Sequence, residues 1–110
     1  AGSMRPVAWC QFVLNRLVEA DTYYSQLLDM VPNEYDYMNA GHLAWCLGNR
    51  QKAAELYLKS IEKRDGDLKA FLVAFNTDKV FLLQNSIDPR EVRLMIDFLR
   101  IRYHENSAQA

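Results

Sequence analysis

Residues 35–65, YDYMNAGHLAWCLGNRQKAAELYLKSIEKRD, decide the fold. Tyr37, Ala40, Gly41 and Ala44 recur at i, i+3, i+4 and i+7, the spacing of one helix face. Gly48-Asn49 stops that helix, because glycine adopts the left-handed cap conformation without a steric penalty. A second helix follows over Gln51–Lys63, with Ala53, Tyr57 and Ile61 on one side, and ends at Asp65-Gly66-Asp67. Two helices of this length joined by a turn of two to four residues form an antiparallel hairpin. Alternation of period two is absent throughout the chain, so no strand is predicted.

The same hairpin is written again upstream. Sliding the sequence on itself by 33 residues sets Ala8 against Gly41, Leu14 against Leu47, and Asn15 against Gly48. It also sets Ala20 against Ala53, Tyr24 against Tyr57, and Leu28 against Ile61. Helices are therefore predicted over Arg5–Leu14 and Val18–Val31, the second ended by Pro32-Asn33. Downstream the pattern loosens. A helix over Asp67–Phe75, an interruption at Asn76-Thr77 and a short helix over Asp78–Gln84 are predicted. Asp88-Pro89-Arg90-Glu91 then opens a final helix, with Asp88 as cap, Pro89 at the first helical position and Glu91 closing a capping box. That helix is expected to reach about Tyr103 and to fray from His104. The organisation reads as a tag scar at 1–3, helix-hairpin units at 4–33 and 34–66, a divergent helical unit at 67–87, and a capping helix with a frayed tail at 88–110.

Composition excludes several function classes. The 110 residues are 50% hydrophobic and 25% charged, which rules out a disordered chain. A formal net charge of −1 argues against nucleic acid as a partner. No apolar run approaches the roughly 18 residues of a membrane span, so no membrane partner is expected. With no signal peptide visible, the expected compartment is the cytoplasm. Cys10 and Cys46 are too few for a disulfide framework or a zinc site. His42 and Cys46 share a face at i, i+4, but structural zinc needs about four ligands, so no metal or other cofactor is expected. There is no phosphate-cradling glycine loop and no nucleophile elbow, so no catalysis is expected. Arg90, Arg93, Arg100 and Arg102 form a basic stripe on the final helix, but Asp88, Glu91 and Asp97 interleave with it, as on a solvated face.

A helix–turn–helix unit of this period resembles the tetratricopeptide repeat (TPR) family. Tyr37, Ala40 and Gly41 fill the family's opening block in the second unit, and Ala53 and Tyr57 its second block. Ala20, Tyr24 and Pro32 match in the first unit, whose opening block (Met4, Val7, Ala8, Gln11) is degenerate. Ala44 and Asp65 depart from the family's usual tyrosine and proline. The resemblance implies an all-α, right-handed superhelical array of antiparallel helix hairpins closed by a C-terminal capping helix. Small residues at Ala8, Ala20, Gly41 and Ala53 would allow close helix approach, and Tyr24 and Tyr57 would plug the space between units.

The resemblance also implies that one face of each opening helix lines a concave groove for an extended peptide or helix of a protein partner. On that face stand Met38, His42 and Trp45 in the second unit, with Trp9 and Phe12 at the equivalent places in the first. Arg5 and Asn39 fit two slots that one subset of the family uses to grip a C-terminal carboxylate. Trp9 replaces a third, so chaperone-tail binding is not expected. The groove is either open, giving a protein-interaction scaffold, or covered by the chain's own 67–87 segment. An assembly or secretion chaperone and a regulatory domain of a larger enzyme are the alternative roles.

The final helix carries two apolar stripes. Val92, Met95, Ile96, Leu99 and Tyr103 form one, suited to sealing the repeat core. Leu94, Phe98 and Ile101 form the second, expected to meet either the 67–84 segment or another copy of the chain in a homodimer.

Overall fold

A computed structural model describes residues 4–109, with side chains described as far as Tyr103. The scar at 1–3 lies outside the described residues, as do the tail side chains from His104. The described chain is all-helical: α1 (Met4–Val13), α2 (Leu17–Leu28), α3 (Glu34–Cys46), α4 (Arg50–Lys63), α5 (Leu68–Gln84) and α6 (Pro89–Gln109). Among the described residues there is no strand.

The helix ends follow from local chemistry. Asn15 (φ 63°) and Gly48 (φ 92°) take left-handed backbone, and so do Asp65 and Ser86. The amide after each of the first two reaches back five residues, Arg16 N–H to Gln11 O at 2.8 Å and Asn49 N–H to Ala44 O at 2.8 Å. This closure consumes carbonyls that would otherwise be orphaned at the helix end. α3 begins with a capping box, in which Asn33 Oδ1 accepts from the Asp36 amide and Asp36 Oδ2 accepts from the Asn33 amide, both at 2.9 Å. Asp88 accepts from the Arg90 amide at 2.8 Å, as a cap should. The partner expected to complete that box, Glu91, instead lies 3.5 Å from Arg50.

α1 packs on α2 and α3 on α4, with α2 against α3 between them. The α3–α4 pair is antiparallel: the Ser60 hydroxyl donates to Glu34 O at one end, while Tyr57 lies against Gly41 further along. Ala8, Ala20 and Ala53 are fully buried, so the small positions sit where helices meet.

Two expectations are corrected. Asn76-Thr77 does not interrupt a helix, because α5 runs unbroken through it. Phe71, Phe75 and Leu82 on its inner face are fully buried, while Asn76 and Thr77 point outward. Burial on one side outweighs the weak helix propensity of two solvent-facing residues. α6 continues to Gln109 rather than ending near Tyr103. Its first stripe is inside as expected, with Val92, Met95 and Leu99 in the core and Ile96 and Tyr103 packed against it.

Candidate functional site

The face expected to line a groove is occupied by α5. Phe81 of α5 meets Trp9 edge-on at a centroid distance of 5.5 Å and Phe12 at 5.9 Å. Six residues earlier, Phe75 lies 5.5 Å from the His42 ring. Phe12, Met38, His42 and Trp45 are consequently buried: of the two arrangements expected, this face shows the one in which the chain's own 67–87 segment covers it. Aromatic and apolar side chains on a helix face recruit the nearest apolar element, and α5 is the apolar helix that the chain itself supplies. Tyr57 fills the space between α3 and α5, with ring contacts to His42, Trp45, Phe71 and Phe75.

Arg5 is also reassigned. Its Nε donates to both carboxylate oxygens of Asp36 at 2.9 Å, and its Nη2 donates to Val31 O at 3.1 Å. Arg5 thus fastens α1 to the α2–α3 turn. Asp36 is buried and held by the arginine and the Asn33 amide.

At the α3–α4–α5 junction His42 is fully buried between two polar partners. Its Nδ1 is 2.7 Å from the Tyr57 hydroxyl, and its Nε2 is 3.3 Å from Asp78 Oδ2. With the ring proton on Nε2, the Tyr57 hydroxyl donates to Nδ1 and Nε2 donates to the carboxylate, so every polar atom of the imidazole is satisfied. Burial pushes the Tyr57 hydroxyl well above the usual phenol range, so it stays protonated and suited to donating. No reactant can reach this hydroxyl or the imidazole. Asp78 is the one member of the three that opens outward.

It opens into a cleft of about 410 Å³ between α1, α3 and α5, lined by Trp9, Tyr35, Met38, Asn39, Ala74, Thr77 and Asp78. Three of the residues read from sequence as binding-face positions, Trp9, Met38 and Asn39, therefore do meet at one opening. Arg64 stacks over the Tyr35 ring, 4.8 Å from its centroid, at the rim. Behind Asn39 lies Tyr24, whose hydroxyl and the Asn39 Oδ1 are both buried without a hydrogen-bond partner. Burial raises the Tyr24 hydroxyl far above its ordinary range; the nearby Asn39 amide opposes this only partly, its geometry falling short of a hydrogen bond. Sequence reasoning missed Asp78 as a site residue. Its signal is that it is the single acid in helix α5.

A second opening, about 650 Å³, lies between the start of α4 and the outer side of α6, lined by Gly48–Gln51, Ala54, Glu91, Leu94, Met95 and Phe98. The second stripe of α6 is exposed here and beyond: Leu94, Phe98 and Ile101 do not pack into the core. The basic stripe is solvated on its outer side, with Arg90 paired to its neighbour Asp88 at 3.2 Å.

Among the described residues, no group of three or more histidine, cysteine or acidic side chains is placed to hold a metal ion, and no helix is long and apolar enough to cross a membrane. Comparison with family models, with curated proteins and with solved structures returns no match.

Proposed function

We propose that the chain is a non-catalytic protein-interaction module, built on TPR-like helix hairpins stacked as a right-handed array and capped by α6. It holds an extended segment of a partner protein across the α1–α3–α5 cleft. The observation that carries this reading is the convergence of Trp9, Met38 and Asn39, from two different hairpins, on one opening whose walls are mostly apolar. Such clefts take side-chain anchors from extended segments, with a few polar groups fixing their orientation. The array reading is supported by the matching left-handed closures at Asn15 and Gly48, 33 residues apart, and by the buried small residues on facing helices.

The test is a selection of random displayed peptides on the intact chain, with binding positions mapped by amide chemical shifts. Peptides that move Trp9, Met38 and Asn39 resonances, and lose binding to a Trp9→Ala variant of unchanged helicity, are the expected result. Peptides that map only to Leu94, Phe98 and Ile101 would transfer the interaction site to α6. The exposure of that stripe favours a second reading, in which the same stripe pairs two copies of the chain.

A further inference from the structure

Asp78 holds a carboxylate in a partly enclosed place with no arginine or lysine among the described residues in contact with it. Its side chain is only 14% exposed. Among the described residues its one polar contact is the His42 ring at 3.3 Å, and no arginine or lysine pairs with it. The contrast within the same molecule is Asp36, a more deeply buried carboxylate, which receives an arginine and a backbone amide. A carboxylate removed from water to this degree ordinarily gains a cationic partner or several hydrogen bonds. Asp78 has instead a cleft in front of it, which Trp9, Tyr35, Asn39 and Thr77 also line.

Resting on the reading of this cleft as the partner-binding site, we propose that its occupant is an arginine side chain of the partner segment. The guanidinium meets the Asp78 carboxylate while the stem lies along Trp9. The chemistry selects arginine on two counts. A planar, weakly hydrated guanidinium stacks on an indole face and tolerates an enclosed apolar site better than an ammonium does. It also presents several donors in one plane, so it can engage Asp78 and still reach the Thr77 oxygen, whose own proton is given to Val73 O at 3.2 Å. Charge complementarity thus supplies what an apolar wall alone does not, a preference for one class of anchor.

The experiment titrates four blocked tripeptides, with central arginine, citrulline, lysine or leucine, into the isotope-labelled full chain at millimolar concentration. The Trp9 indole N–H is the reporter, and the buried Trp45 indole is the internal control. The expected result is that the arginine peptide shifts Trp9 and not Trp45, that citrulline binds at least about tenfold more weakly, and that Asp78→Asn abolishes the difference between them. The citrulline comparison uses the unaltered protein, so it decides the matter even if Asp78→Asn does not fold. Equal binding of lysine overturns the guanidinium assignment. Stronger binding of leucine overturns the charge argument while leaving the cleft as the docking site. If no tripeptide moves the Trp9 indole, the inference fails, and the displayed-peptide selection then tells whether the cleft reading fails with it.

Discussion

Gly41 faces the Tyr57 ring so closely that a Cβ on it would stand 2.6 Å from Tyr57 Cε1. Glycine at this point of α3 therefore serves a close approach between helices. The ring has nowhere to retreat, since His42, Trp45, Phe71 and Phe75 surround it. Gly41→Ala should destabilise the fold by roughly 1–3 kcal/mol despite the better helix propensity of alanine. Thermal unfolding followed by circular dichroism should show a drop of about 4–8 °C per kcal/mol in a domain of this size. Ala53→Leu, at the equivalent small position of α4, should behave likewise, and an unchanged melting temperature would remove the packing assignment.

The same substitution at two tyrosines should have different effects. Tyr57→Phe takes the donor from His42 Nδ1 and leaves a buried acceptor unpaired, a loss of roughly 1–3 kcal/mol. Tyr24→Phe removes a hydroxyl that is already without a partner, so it should be neutral or stabilising at neutral pH. Urea midpoints of the two variants against wild type separate these outcomes.

Alkaline pH should destabilise the protein through the same two hydroxyls. Burial raises both phenols in the folded state above the ordinary 10.0. Above that value the unfolded chain gives up protons that the folded chain keeps, so it binds fewer protons and stability falls as pH rises. Urea midpoints measured from about pH 8 to about pH 11 should decline, and Tyr24→Phe should flatten part of the slope.

The two thiols should be kinetically distinct. Cys10 is exposed, whereas burial pushes the Cys46 thiol from 9.0 up to about 11. At mildly alkaline pH that shift lowers the thiolate fraction of Cys46 about hundredfold, and thiolate is the reactive species. A disulfide reagent should titrate one thiol quickly in the native protein and the second only slowly, with both becoming fast in denaturant.

The outer stripe of α6 should tolerate charge. Leu94, Phe98 and Ile101 are 64%, 42% and 59% exposed, so a Phe98→Glu, Ile101→Glu double variant should keep its helicity and its melting temperature within a few degrees. If the stripe pairs two copies of the chain, light scattering will show the wild type falling from dimer to monomer with this change. Unfolding of the variant would mean that the stripe is part of the core after all.

What could be read from sequence was what is local. The ends of α1 and α3 were legible because Asn15 and Gly48 each carry their own left-handed signal, and the small residues were legible because they repeat at one spacing. The continuity of α5 was not, because Asn76 and Thr77 advertise a break while Phe71, Phe75 and Leu82 override it from the other face. The site divided in the same way. Helical period and the repeat put Met38 and Trp9 on one face, whereas Asn39 was suggested only by the resemblance to the carboxylate-gripping subset of the family. That α5 would lie across this face, burying His42 and bringing Asp78 into the cleft, depends on a meeting of distant segments for which no local pattern exists.

The contact between Trp9 and Phe81 joins the first helix to the fifth. In a linear array each unit touches only its neighbours, and such chains can peel from one end while the other stays intact. Here the chain is closed into a ring of contacts: loosening α1 strips cover from α5, and loosening α5 uncovers α3. Unfolding should therefore be all-or-none, with amide exchange in α1 tracking that in α3 and α5 instead of running ahead of it.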